Sequence, residues 1–253
     1  MALAIARSPD ISLRGWLRVG VRLLAMLLLL IASIPLYYLF RLFTRRSPVP
    51  RVFLAAIAWL SGVRLSYHGT KVRRGAFLLV NHVSWIDIPA IAAATGASFV
   101  GHDGLASMPL LKWLCTMNDT VFVARHDRSS VQAQIAAVRT AIRDSGALAI
   151  FPEGTTSDGT GLLAFKSSLL SALEPLPDGI AVQPVVLDFG TEAAQIAWIG
   201  EEHGLDNFLR ILARRRPVRV AVRFLPVLSG PALTSRKTIA ASAREAMLRE
   251  LQG

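Results

Sequence analysis

The chain reads as an α/β protein: a mostly parallel central sheet flanked by helices, preceded by an N-terminal membrane-attached helical hairpin. Three observations predict this. From Leu65 to the C-terminus, short apolar runs rich in β-formers alternate with helical stretches, the pattern of strands joined by crossover helices. Ahead of them lies an unbroken apolar or weakly polar run from Leu23 to Phe40. Finally, 53% of residues are hydrophobic and only 18% charged, with mean hydropathy +0.46. That surplus of apolar surface calls for a membrane. Residues 1–64 are assigned to the hairpin and 65–253 to the α/β domain.

The Leu23–Phe40 run, LLAMLLLLIASIPLYYLF, is at the short end of what spans a bilayer, which takes about 20 residues. Pro35 is placed to kink it, and Tyr37 and Tyr38 suit an interface. Arg14, Arg18 and Arg22 precede it; Arg41, Arg45, Arg46 and Arg51 follow. With both flanks basic, charge asymmetry gives no orientation. The run is too long for a cleaved signal segment, and SPVPRVF offers no small-x-small cleavage pattern. A second apolar stretch, Val52–Val63, is too short to span. The pair is either one span plus an interfacial helix or a two-helix wedge in one leaflet.

Ala76–Asn81 predicts a buried strand, followed by a helix near Ile88–Thr95. Ala97–Gly101 predicts a strand, Leu105–Met117 an apolar helix and Thr120–Arg125 a strand. In Ser130–Arg143, Val131, Ile135, Val138 and Ile142 recur at helical spacing as one buried stripe. Ala147–Phe151 predicts a strand running into PEGTTSDG. Helix is expected at Phe165–Leu173, strands at Ala181–Leu187 and Ile196–Ile199, helix at Leu205–Arg214 and strand at Val218–Val227. Ser235 is placed to cap a last helix reaching about Leu251. In such a sheet, sites form at the carboxyl ends of strands.

Formal net charge is +11, and 24 of the 28 cations are arginine. Arginine binds phosphate and carboxylate bidentately, which suits anionic headgroups or an acidic carrier. A basic proteome would produce the same balance. Nucleic-acid binding is disfavoured, because no zinc-finger spacing or basic helix interleaved with aromatics is present. The single cysteine, Cys115, sits among apolar neighbours as a core thiol and excludes an intramolecular disulfide.

Three stretches carry chemistry. In Asn81-His82-Val83-Ser84-Trp85-Ile86-Asp87, five helical steps put His82 and Asp87 on different faces. They meet only if the chain turns just after the strand, as Asn81, Ser84 and Pro89 permit. Asp87 then accepts the Nδ1 proton of His82 and leaves Nε2 as a base toward a hydroxyl that the substrate brings. An asparagine at 87 would favour the wrong tautomer. The alternative is a histidine ending the strand and an aspartate capping the next helix. The second stretch, Phe151–Gly159, follows a strand. Its glycines allow close backbone approach, its amides can hold a phosphate or oxyanion, and Glu153 is placed to orient substrate or loop. Alternatively it is an ordinary turn with Glu153 in a salt bridge. In the third, Arg125 ends its strand on the same rim as His82 and Glu153, or else begins a solvated loop. His68, His102, His126 and His203 lack a partner motif. No metal-ligand cluster is visible, so no metal is assigned, and a Gly-x-Ser-x-Gly hydrolase elbow is missing.

Together these stretches resemble the glycerolipid (lysophosphatidic acid) acyltransferase family. Asn81-His82-x-x-x-x-Asp87 matches its first motif. Phe122 and Arg125 match its second, with Asp119 where glycine is usual. Phe151-Pro152-Glu153-Gly154-Thr155 matches its third, with Thr156 where arginine is common. Val182-Gln183-Pro184-Val185-Val186 matches its apolar–Pro–apolar fourth. The motifs occur in family order across residues 76–187.

The resemblance implies that His82 deprotonates the free hydroxyl of a lysolipid and that Asp87 orients and charge-balances it. The alkoxide would attack the thioester of an acyl-CoA or acyl carrier protein, without a cofactor. Arg125 and the Glu153-Gly154-Thr155 loop would bind the acceptor headgroup, commonly a glycerol phosphate. Lys166, just beyond the same loop, is read as a substitute for the arginine missing at Thr156. The leading acceptor is lysophosphatidic acid, giving phosphatidic acid. The runner-up is a lyso-ornithine lipid, with a hydroxy-acyl acceptor and no phosphomonoester. A non-catalytic lipid- or carrier-binding protein at the membrane surface is the competing class. The expected location is the cytoplasmic membrane, with the catalytic domain on the cytoplasmic face.

Overall fold

The computed structural model describes residues 11–44, 46–102, 109–123 and 131–252. Its first helix, α1 (Leu13–Phe43), begins where the Ser12 hydroxyl accepts the amide of Gly15 at 3.2 Å, a serine N-cap. The helix is longer than the apolar run because the arginine-bearing turns before Leu23 are also helical, and it continues through Pro35. After a short turn, α2 (Val49–Leu60) opens on prolines, whose fixed φ suits a first helical turn. The two helices pack together as a hairpin.

Among the described residues, seven strands form one sheet: β1 (Val63–Gly69), β2 (Ala76–Val80), β3 (Ser98–His102), β4 (Val121–Val123), β5 (Ala147–Ile150), β6 (Ala181–Asp188) and β7 (Val218–Phe224). Their order is β1-β7-β6-β2-β5-β3-β4. Neighbours are parallel throughout except β6 and β7. The sheet is therefore mostly parallel, with one antiparallel pair.

The remaining helices are α3 (Asp87–Thr95), α4 (Pro109–Met117), α5 (Val131–Ser145), α6 (Ala193–Ile196), α7 (Gly204–Ala213) and α8 (Arg236–Gln252). They bury both faces of the central strands, and the period-two alternation shows it directly. Ala76, Leu78 and Val80 of β2 join a core with Ala58 of α2, Ile91 of α3 and Ile211 of α7. Phe77 and Leu79 join a second core with Val138 and Ile142 of α5 and Ile239 and Ala243 of α8. Burying a large aliphatic side chain is worth roughly 1.5–3 kcal/mol, so these two layers hold the strand ends in place.

Most expected elements are present, and the departures have local causes. No strand was expected at 63–69. β1 is an edge strand whose positions are mostly exposed, so it lacks the apolar alternation that marks half-buried strands. The strand expected at Ile196–Ile199 does not form. α6 ends at Ile196, and the next carbonyls meet side chains: Asn207 Nδ2 donates to the oxygens of Ile196 (3.3 Å) and Ala197 (3.1 Å). The Phe165–Leu173 helix is a 3₁₀ helix, from Ser167 to Leu173. β4 is described only to Val123, so the end of the expected Thr120–Arg125 strand lies outside the described residues. Val138 and Ile142 of the predicted stripe are buried; the side chains of Val131 and Ile135 are outside the described set. Ser235 caps α8, its hydroxyl accepting the Thr238 amide at 3.1 Å.

Helix α1 is tied to the α/β domain at both ends. On α1, Arg18 Nε donates to the Ala213 carbonyl (2.9 Å) and Arg22 Nη1 to that of Leu212 (2.7 Å), so two guanidinium groups satisfy the carbonyl end of α7. Beyond α1, Arg46 pairs with Asp119 (3.0 Å) and donates to Ser98 Oγ (2.6 Å). Asp119 stands where the resembled motif has glycine, and its φ is +52°, the left-handed region that glycine enters freely. Aspartate is among the few other residues that tolerate it.

Candidate active site

β2 runs fully buried to Val80 and ends at the centre of the sheet. Asn81 then turns its amide onto β6, donating to the Leu187 carbonyl (3.0 Å) and accepting the Leu187 amide (2.7 Å). This side chain replaces a ladder rung and lets the chain leave the sheet without orphaning buried backbone groups.

The next residue is His82. Its Nδ1 lies 2.7 Å from Asp87 Oδ2. Asp87 is wholly buried in the first turn of α3, where the positive end of a helix favours a carboxylate. The same oxygen also accepts the amides of Val83 (2.6 Å) and Ser84 (2.9 Å). The chain turns between strand and helix, so the dyad geometry is formed and the two-caps alternative is not. Asp87 Oδ1 is buried and has no hydrogen-bond partner among the described residues. Because Oδ2 can only accept, Nδ1 carries the hydrogen, and Nε2 is the nitrogen with a free lone pair in neutral imidazole. The His82 side chain is 19% exposed, and nothing among the described residues bonds to Nε2.

The Phe151–Gly159 segment holds His82 from the other side. The rings of His82 and Phe151 stack at 4.2 Å with 19° between planes. Glu153 is 1% exposed and spends both carboxylate oxygens on backbone: Oε1 accepts the His82 amide and Oε2 the Leu163 amide, each at 2.8 Å. Of the two uses expected for Glu153, loop orientation is the one this geometry performs. Burial pushes its pKa above the ordinary glutamate value, against the pull of those two amides. The His82 carbonyl accepts from Ser157, through the amide (2.7 Å) and the hydroxyl (3.1 Å). Every polar group of His82 except Nε2 is thus fixed.

The other expected site residues are placed as follows. Gly154 takes a left-handed φ of +70°, and its amide donates to the Phe151 carbonyl at 3.1 Å, closing a tight turn. Thr155 is exposed beside it. Thr156 points inward, its hydroxyl donating to the Trp198 carbonyl. The Lys166 amide donates to the Pro152 carbonyl at 2.8 Å, and its side chain is exposed. Arg125 lies outside the described residues. Sequence reasoning missed the supports behind the dyad: Ser157, the Phe151 stack, and Asn207, which accepts from the Ser84 hydroxyl at 3.0 Å. Phe151 and Ser157 were visible in the motif stretch; Asn207, 123 residues from Ser84, left no signal.

Comparison with known proteins identifies the family. A family model described as acyltransferase matches residues 64–188. The chain is 30% identical to the lyso-ornithine lipid O-acyltransferase of Rhodobacter capsulatus, over 95% of this chain and 92% of that protein. It is 32% identical to the 1-acyl-sn-glycerol-3-phosphate acyltransferase of Neisseria gonorrhoeae, over 48% of this chain and 47% of that one. The crystal structure of the Thermotoga maritima 1-acyl-sn-glycerophosphate acyltransferase PlsC superposes with a TM-score of 0.62 at 22% identity, covering 93% of this chain and 96% of that one. A histidine set on a buried aspartate at a strand end, in a chain that matches the acyltransferase family model and aligns along nearly the whole length of the Rhodobacter relative, leaves one assignment: the chain is an enzyme of the glycerolipid acyltransferase family, an O-acyltransferase of the lysolipid type.

Proposed function

We propose that the enzyme acylates the free hydroxyl of a lyso-ornithine lipid, using an acyl thioester of coenzyme A or acyl carrier protein, with His82 as general base. The observation that carries the chemistry is the 2.7 Å contact between His82 Nδ1 and buried Asp87. Nε2 takes the acceptor's hydroxyl proton as the oxygen attacks the thioester carbonyl. A C–O bond forms, the tetrahedral adduct collapses, and the C–S bond breaks. The proton passes from Nε2 to the departing thiolate sulfur. Asp87 balances the imidazolium that exists between these steps. A thioester is already activated, so a positioned base and an electrostatic cradle suffice. The turn at Gly154 and Thr155, with Arg125 and Lys166, is assigned to the acceptor headgroup.

The choice of acceptor follows from Thr156. Where arginine is common in the resembled motif, this chain has a threonine whose hydroxyl is turned to a backbone carbonyl, so one phosphate clamp is missing. The lyso-ornithine lipid relatives also align along most of their length, whereas the Neisseria relative aligns over about half. Lysophosphatidic acid is the second reading, favoured by the shared Phe-Pro-Glu-Gly-Thr motif and the exposed cation at Lys166. An acceptor panel with purified enzyme and a labelled acyl thioester tests both. Higher kcat/KM with lyso-ornithine lipid supports the proposal, and higher kcat/KM with lysophosphatidic acid reverses it.

We infer that the hairpin lies in one leaflet of the cytoplasmic membrane, with the catalytic domain on the cytoplasmic face where acyl thioesters are made. Supporting this, α1 has an 18-residue window of mean hydropathy 2.4 that is only 6% buried. Residues flanking that window at both ends, Arg22 and Arg46, bond to the same α/β domain. A helix crossing the bilayer would carry its two ends to opposite sides, and one domain cannot hold both.

A further inference from the structure

A second basic site lies at the edge of the sheet opposite His82. Gly75 and Gly146 open β2 and β5, and Gly96 closes α3 just before β3; these three points mark the amino-terminal ends of strands whose carboxyl ends carry the dyad. A cleft of about 500 Å³ opens there, beside the turn that joins α1 to α2. Five arginines line it: Arg46, Arg51, Arg73, Arg74 and Arg143. The one carboxylate among the described lining residues, Asp119, is already paired with Arg46. Arg51, Arg73, Arg74 and Arg143 are exposed and have no ion-pair or hydrogen-bond partner among the described residues. The close approach is specific at Gly96, where a Cβ would stand 3.0 Å from Arg51 Cδ and Nε. Nearby Lys71 donates to the Ala94 carbonyl at 2.8 Å; burial, then Arg51 and Arg73, pull its pKa below the ordinary lysine value.

We propose that this cleft binds the phosphate headgroup of an anionic phospholipid and seats the hairpin turn on the membrane surface. Like charges gathered around a concave surface focus a positive potential, and guanidinium groups match phosphate oxygens bidentately. Position selects a lipid as the source of that phosphate. Leu42 and Phe43, at the end of α1 that leads into the cleft, are 77% and 80% exposed, so an apolar surface for acyl chains adjoins a cationic one for headgroups. The sheet separates the cleft from Nε2: five residues of β2 span roughly 17 Å. A phosphate held here therefore has no contact with the reacting hydroxyl.

The test is vesicle partition of the full chain, which needs no acyl transfer and so stands or falls apart from the catalytic assignment. Wild type, R73A/R74A and the charge-matched control K237A/R249A on α8 are mixed with vesicles of phosphatidylcholine alone or of phosphatidylcholine and phosphatidylglycerol at 3:1. R73A/R74A is expected to lose about tenfold or more of its partition onto the anionic vesicles, to match wild type on phosphatidylcholine, and to keep wild-type turnover on detergent-dispersed substrate. The control is expected to change less than twofold. Equal partition of R73A/R74A and wild type on anionic vesicles overturns the proposal, as does an equal loss in the control. Inorganic phosphate and coenzyme A, titrated in solution, form the remaining arm. Binding of either that vanishes in R73A/R74A while vesicle partition is unchanged reassigns the cleft to a soluble phosphate.

Discussion

Asp87 grips His82 with the same carboxylate oxygen, Oδ2, that accepts the backbone amides of Val83 and Ser84. Two amides fixed beside Oδ2 demand an acceptor there. In Asp87→Asn the side-chain oxygen must take that place and still accepts the Nδ1 proton, so the tautomer is kept, contrary to the expectation from sequence. The substitution removes only the charge that balances the imidazolium. We expect kcat to fall by roughly ten- to a hundredfold in Asp87→Asn, and by more in Asp87→Ala. His82→Ala should lose the full contribution of a general base, about 10²–10⁴-fold, while lysolipid binding survives. Steady-state kinetics on the three variants checks this. An Asp87→Asn defect as deep as that of His82→Ala would refute the tautomer argument.

The pH dependence of stability should carry a signature of Glu153. Its folded-state pKa is raised above 4.5, the ordinary value. The folded protein therefore takes up this proton at higher pH than the unfolded chain. Below the unfolded value the favourable contribution is fully present, and it is lost as pH rises through the folded value. Denaturant unfolding from pH 4.5 to 7 should show this decline in wild type, and Glu153→Gln should lack it. Glu153→Gln should also be destabilised by about 1–3 kcal/mol, because its amide group presents a donor to one of two backbone donors.

Asp119 combines an unfavourable backbone with a useful side chain. Asp119→Gly relieves the left-handed conformation but breaks the ion pair with Arg46. Each effect is about 1 kcal/mol or less, so the melting temperature should hardly move. Asp119→Ala keeps the strain and loses the pair, and it should be the less stable of the two in thermal unfolding.

Acceptor recognition should respond to cations near the Gly154 turn. Arg125→Ala and Lys166→Ala are expected to raise the acceptor KM severalfold with little change in donor KM. Thr156→Arg should improve turnover of lysophosphatidic acid relative to lyso-ornithine lipid. Kinetics in which only the acyl donor is affected would remove these residues from the headgroup site.

Attachment can be read by thiol labelling in a Cys115→Ala background. Leu13→Cys and Thr44→Cys bracket α1. With the helix in one leaflet, a membrane-impermeant maleimide should modify both positions from the same side of sealed vesicles. Modification of one from each side would establish a span.

The central strands were legible because both of their faces are buried. AFLLV and ALAI are apolar without interruption, and turn formers follow them. The dyad was legible as a possibility: a turn permitted by Asn81, Ser84 and Pro89 is required for contact, and whether it forms depends on Glu153, Ser157 and Asn207, which lie up to 125 residues further along the chain. β1 was hidden because an edge strand has only one hydrogen-bonded neighbour and few buried side chains. The segment at Ile196–Ile199 misled because Ile196 and Ala197 pack in the core while their carbonyls bind Asn207 instead of a neighbouring strand. The N-terminal arginines read as membrane flanks, whereas Arg18 and Arg22 serve the end of α7.

The clamps at Arg18, Arg22 and Arg46 have a consequence for how the enzyme measures its surroundings. If α1 lies in one leaflet as proposed, a helix bolted twice to the body that carries His82 fixes the depth of the imidazole. Lipids must then bring their hydroxyls to that height. Where along its length a lysolipid is acylated becomes a question of vertical position, decided before any headgroup contact is made.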